Sequence, residues 1–138
     1  MIVVLDANAG IEVSLDRAKA DSIRNFLDQA DRVITSELHK AETTNVMFKY
    51  VRSALLNQDQ AIEKLNYCDS LVDEFIDIAN TKEETLMESI RTGHSSYDLF
   101  YLTVARRFGA RFLTLDKKLN DLANSWGLET GTDAPYYQ

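Results

Sequence analysis

The chain has 138 residues, 45% hydrophobic and 27% charged, with a formal net charge of −7; this is one domain with a sizeable core. The acidic balance excludes nucleic-acid binding spread over a basic surface, so any such binding has to be local, through cations or a small basic patch, and it also suits a basic or metal-ion partner. The single cysteine cannot close an internal disulfide, no apolar run approaches the roughly 18–20 residues of a membrane helix, and MIVVLDANAG lacks the basic start of a signal peptide, so a soluble cytoplasmic protein that does not engage a membrane is expected.

In chain order, IVVL at 2–5 is a short β-branched run ending at Asp6, the signature of a fully buried strand in a parallel sheet. Residues 16–30 carry a helical stripe of Ala20, Ile23, Phe26, Leu27 and Ala30. RVIT at 32–35 is a second strand. Ser36 is a candidate N-cap for a helix reaching about Val51, with Leu38, Ala41, Val46 and Phe48 expected inside. A further amphipathic helix runs from Asp59 to about Val72, and places Cys68 in the core with Ile62, Leu65 and Val72. FIDI at 75–78 alternates as a third strand. Thr81-Lys82-Glu83-Glu84 opens a helix that stops near Gly93.

Ser95 or Ser96 then caps a helix, SYDLFYLTVA, that is apolar nearly all round and closes at Gly109. RFLTL at 111–115 is a strand ending at Asp116, and a short helix follows to about Trp126-Gly127. Short apolar strands alternating with helices define an α/β fold, with a mainly parallel central sheet of four to five short strands flanked by helices. Residues 1–128 form the single domain, and 129–138 lack periodicity and are expected to be a loose tail. Trp126, Tyr136 and Tyr137 near the C-terminus are expected to pack or to lie in a loose end, with an interface or base stacking as the alternative. No glycine-rich phosphate loop is present, which excludes the common nucleotide-cofactor folds.

The acidic residues carry the chemistry. Asp6 and Asp116 each end an apolar strand, at the carboxyl edge where open α/β sheets bind ligands. Asp98 sits in the first turn of a helix that starts at the same edge, where the helix dipole favours its charge and bound cations would favour it more. It is either a helix-start residue at a wet rim or part of a shared acidic site. Glu42 lies one to two turns into the helix after the second strand, whereas Glu37 is explained as a helix-start charge. Carboxylates gathered in one pocket repel, and hard divalent cations with a preference for oxygen relieve that repulsion. His39 can touch Glu42 and His94 can touch Asp98 along their helices, which leaves zinc as a minor reading. Both histidines are expected to be surface or cap residues. The run Asp6-Ala7-Asn8 lacks the second acid of a haloacid-dehalogenase-type phosphatase, and Asp6 alone does not supply the acidic pair of a receiver domain.

With these four acids in place, the chain resembles the PIN-domain family, and within it the VapC-type ribonuclease toxins of toxin–antitoxin modules. The resemblance rests on VVLDAN, on the SELHKAETTNV helix, on SSYDLFYLTVARRFGARFLTLDKKL, and on the chain length. It spans about residues 1–127. It implies Asp6, Glu42, Asp98 and Asp116 as the catalytic and metal-holding acids, with Asn8 and Thr114 as polar supports. It implies Mg²⁺ or Mn²⁺, an RNA substrate, a cognate antitoxin whose tail covers the site, and a homodimer. Lys117, Lys118, Arg106, Arg107 and Arg111 lie close to these segments in sequence and are the candidate phosphate contacts. The competing expectations are a PIN-fold binding or regulatory protein with little catalysis, and another Mg-dependent phosphohydrolase.

Overall fold

The computed structural model describes residues 1–131. Four strands form one parallel sheet: β1 (Ile2–Leu5), β2 (Arg32–Ser36), β3 (Glu74–Ile76) and β4 (Arg111–Leu113), in the order β3-β2-β1-β4. β1 pairs with β2 through Val3 opposite Val33, and with β4 through Val4 opposite Phe112. The helices are α1 (Ala7–Ser14), α2 (Ala20–Asp28), α3 (Leu38–Arg52), α4 (Gln58–Ser70), α5 (Lys82–Thr92), α6 (Ser96–Phe108) and α7 (Lys117–Ser125). No described helix is long and apolar enough to cross a membrane.

The pleat divides the core. Val4, Ile34 and Phe112 face the α6 side with Leu99, Leu102 and Ala123. Val3, Leu5, Val33 and Leu113 face the other side with Val13, Ile23 and Phe26. Both sheet faces are therefore covered, which is why these strands read as unbroken apolar runs rather than alternating ones. A third cluster joins Ile11, Met47, Ala61 and the fully buried Cys68.

Several boundaries follow from local chemistry. Ser95 Oγ accepts from Tyr97 N, and Gly109 closes α6 at φ 58°, the left-handed region where a side chain is strained. Asn57 and Gln60 form a reciprocal capping box at the start of α4. Helix α1 departs from the sequence reading, which placed no helix over 7–14. Ala7, Ala9, Gly10, Ile11, Val13 and Ser14 are all buried, so α1 lacks the polar stripe by which a surface helix is recognised. In α3, Ala41 is exposed and Phe48 is 57% exposed, so neither is a core residue as expected. Ile62 in α4 is likewise half exposed.

β4 ends at Leu113, two residues before the expected limit. Within the segment expected to be loose, Glu129 O accepts from Phe112 N and Thr130 bridges to Phe112. Tyr136 and Tyr137 lie outside the described residues. Trp126 packs against the core on the α6 side, with the Arg106 guanidinium 4.5 Å from its ring centre.

The chain steps from β1 to β2 to β3 in one direction, then returns across β1 to place β4 on its other side. The strand order therefore reverses between β1 and β4. In an open parallel sheet, that is where the loops after the two strands diverge and leave a crevice at the carboxyl edge.

Candidate active site

Asp6 follows β1 and Asp116 follows Thr114-Leu115 beyond β4, so both stand at this reversal point. Each is also the N-cap of the next helix. Asp6 Oδ1 accepts from Ala9 N at 2.9 Å at the head of α1, and Asp116 Oδ1 accepts from Leu119 N at 3.2 Å at the head of α7. Capping fixes both side chains at helix starts that favour negative charge. Thr114 joins the two: its hydroxyl donates to Asp6 Oδ2 and accepts from Asp116 N. Thr114, just past the end of β4, thus ties the two acids together.

Asp98 lies half-buried in the first turn of α6, and Glu42 half-buried in α3. The Tyr101 hydroxyl donates to Glu42 Oε1. Tyr101 is 2% exposed, so its ring belongs to the core and only its hydroxyl reaches the site.

The four acids form one electrostatic unit. Asp6 is 3% exposed, and burial pushes its carboxyl up to about 7. The Thr114 and Ala9 hydrogen bonds oppose that rise, and the charges of Glu42 and Asp98 add to it. Burial raises Glu42 as well, against the Tyr101 hydrogen bond and together with Asp98. Asp98 is raised by burial and then by the Asp116 charge, with His94 acting in the opposite sense. Tyr101 is held far above its ordinary range by burial and by the Glu42 bond, with Asp6 and Asp98 adding to the rise. No lysine or arginine acts on Asp6, Glu42 or Asp98. The site is a set of oxygen donors with excess negative charge, opposed at Asp98 by His94. As the side chains stand, no three His, Cys, Asp or Glu among the described residues are grouped so as to hold a metal ion.

The remaining sequence candidates divide by position. Asn8 is exposed at the head of α1 and lines a cleft with Asp116. Lys117 and Lys118 are exposed in the first turn of α7 beside Asp116, and Lys117 Nζ pairs with Asp121 at 3.0 Å. Arg106 and Arg107 sit in the last turn of α6, at the opposite end from Asp98, and Arg111 opens β4 at the amino edge. All three are engaged there: Arg106 and Arg107 with Glu84 at 2.6 and 2.8 Å, and Arg111 with Glu129 at 2.8 Å. The structure does not bring these three arginines to the acids.

Glu37 pairs with Lys40 at 3.1 Å, outside the site. His39 is not the surface or cap residue expected: it is fully buried, neither ring nitrogen has a hydrogen-bond partner, and burial lowers it to about 4. Tyr101 was missed by the sequence reading. Its signal was a tyrosine one turn after Asp98, on the same face of an apolar helix.

Comparison with known proteins assigns the chain to a family. The family model for the PIN domain matches residues 3–125, and the chain belongs to the PIN-domain family. It is 26% identical over 124 residues to Ribonuclease VapC3 of Pyrobaculum aerophilum, covering 86% of this chain and 92% of that protein. It also superposes on a chain in the crystal structure of VapBC2 from Rickettsia felis bound to a DNA fragment from their promoter. There the TM-score is 0.67 at 18% identity, covering 94% of this chain and 97% of that one. This second likeness is one of fold.

Proposed function

We propose that this chain is a metal-dependent endoribonuclease of the VapC type, the toxin of a toxin–antitoxin pair, acting in the cytoplasm as a homodimer held in check by a cognate antitoxin. The observation that carries the reading is the gathering of Asp6, Glu42, Asp98 and Asp116 at one sheet edge with no lysine or arginine acting on the first three. PIN-domain membership and the similarity to a protein named as a ribonuclease support the same class.

The donor set suits Mg²⁺ or Mn²⁺. It is all oxygen, and magnesium is commonly held by one or two carboxylates, several waters and the substrate's own phosphate rather than by a closed protein cage. An all-carboxylate donor set fits that mode better than it fits zinc, which favours nitrogen and sulfur ligands. Asp6, Asp98 and Asp116 would hold one or two ions directly, and Glu42 directly or through water. When bound, the cation supplies Lewis acidity, activating water for in-line attack and offsetting charge on the phosphodiester and its leaving oxygen.

The chain's own groups do the rest. Ala9 N and the Thr114 hydroxyl hold one Asp6 oxygen each, and the same hydroxyl accepts from the Asp116 backbone N–H. Tyr101 holds one Glu42 oxygen, Oε1. Burial keeps Asp6 able to hold a proton near neutral pH, where it would also be one of the groups holding a cation. Hydrolysis along this line leaves a 5′-phosphate and a 3′-hydroxyl.

The test is incubation of purified protein with a mixed cellular RNA pool in Mn²⁺, in Mg²⁺ and in EDTA, beside Asp98→Asn. Discrete cuts that require metal and vanish in the variant are expected. Wild-type turnover by Asp98→Asn would sink the assignment of the site.

A further inference from the structure

The sequence candidates for RNA contact sit mostly at the wrong edge of the sheet, yet an acidic site needs help to hold a polyanion. The structure offers a different set. A cleft of about 530 Å³ opens beside the acids between α1 and α3, with Asp116 and Asn8 at one end and Arg17, Lys49 and Tyr50 among its other walls. Asn8 to Arg17 spans α1, and Glu42 to Lys49 runs two turns along α3. Lys49 therefore stands roughly 10 Å along α3 from Glu42, at 1.5 Å per helical residue, and Arg17 follows the C-terminal end of α1.

Their state differs from that of most of the chain's arginines. Arg24, Arg32, Arg91, Arg106, Arg107 and Arg111 each pair with a carboxylate. Among the described residues Arg17 and Lys49 make no such pair, and both are exposed. Arg17 is nonetheless held in place. Its guanidinium donates to the Tyr50 hydroxyl, and its central carbon lies 5.2 Å from the Tyr50 ring centre. Glu12 also lines the cleft, with Oε2 accepting from the backbone N of Lys19 at 3.1 Å. The cleft thus carries two cations, Arg17 and Lys49, on the same lining as Asp116 and Glu12.

We infer that this cleft is the RNA path, in which Arg17, steadied by Tyr50, and Lys49 hold backbone phosphates flanking the one that reaches the acids. This rests on the ribonuclease reading above and deepens it. A guanidinium fixed on an aromatic ring keeps a phosphate-binding geometry at low entropic cost, and unpaired cations lose no protein partner on binding. The net charge of −7 is then no obstacle, because the attraction is confined to the groove.

The experiment measures binding of a short fluorescein-labelled single-stranded RNA by anisotropy, across a salt series at fixed Mn²⁺, in the Asp98→Asn background so that the probe stays intact. Each single-strand phosphate contact contributes about 0.7 to the slope of log affinity against log salt, so Arg17→Gln/Lys49→Gln should lower its magnitude by about 1.4. The exchange Arg17→Lys/Lys49→Arg should keep most of the slope. Lys82→Gln/Arg91→Gln on α5, which removes the same charge elsewhere, should leave it unchanged. Circular dichroism checks that each variant is folded.

If the wild-type protein cuts RNA but the cleft variant keeps the full slope, the path lies elsewhere and the nuclease reading stands. An equal loss of slope in the α5 variant would reduce the effect to net charge and overturn the cleft. If RNA is neither cut nor bound, both readings fall together.

Discussion

Asp6→Asn should stabilise the protein in the absence of metal, although it removes a residue central to the site. In the folded chain the Asp6 carboxyl is pushed from 3.8 to about 7. The native state therefore binds a proton that the unfolded state has already lost between these values. Stability falls as pH rises wherever the native state holds more protons. The favourable contribution of protonated Asp6 is thus full below about pH 4 and gone above about pH 7. At roughly 1.4 kcal/mol per pH unit the full range is about 4 kcal/mol, of which about 3 kcal/mol falls between pH 5 and pH 8.

Asparagine keeps the uncharged state at every pH. Its oxygen can accept from Ala9 N, and its amide can donate to Thr114 Oγ, whose hydroxyl must turn. Allowing about 1 kcal/mol for that imperfect replacement, Asp6→Asn should exceed wild type by about 3 kcal/mol at pH 8 in EDTA and by less than about 1 kcal/mol at pH 5. Urea unfolding at the two pH values measures this. The general repulsion of an acidic chain affects both proteins alike and cancels in the difference. A variant less stable than wild type at pH 8, or a difference that does not change with pH, would refute the reasoning that burial of an uncompensated carboxylate governs the site.

Other substitutions probe the supporting structure. A Cβ at Gly10 would stand 2.9 Å from His39 Nε2, in a fully buried contact, so Gly10→Ala should cost about 1–3 kcal/mol in thermal unfolding. Tyr101→Phe removes the donor that lowers the Glu42 carboxyl. It should move the acidic limb of the pH–rate profile to higher pH and cost about 1–2 kcal/mol of stability; an unmoved profile would place Glu42 outside the reaction.

The strands were legible because both faces of the sheet are covered and the runs are short, apolar and cut off by Asp6 or by polar residues. Helix α6 was legible because Ser95 and Gly109 mark its ends. Helix α1 was not, because burial on nearly every side removes its periodicity and Gly10 argues against a helix while serving as the gap that admits His39. The four acids could be assigned to one edge from chain order alone: Asp6 and Asp116 follow strands, Glu42 lies early in the helix after β2, and α6 must start at that edge because it ends where β4 begins. Sidedness also accounts for the arginines: Arg106 lies about 12 Å along α6 from Asp98 at 1.5 Å per residue, so nearness in sequence carried it to the far edge. Arg17, Lys49 and Tyr50 come from two separate segments, and only the packing of α1 against α3 brings them to one groove.

The most direct test of the acidic edge as a divalent-cation site is Mn²⁺ binding followed by electron paramagnetic resonance in wild type, Asp98→Asn and Asp116→Asn, all shown to be folded. Saturable binding by wild type that weakens at least tenfold in both variants, about 1.4 kcal/mol, is the result predicted. Equal binding by all three proteins would contradict it.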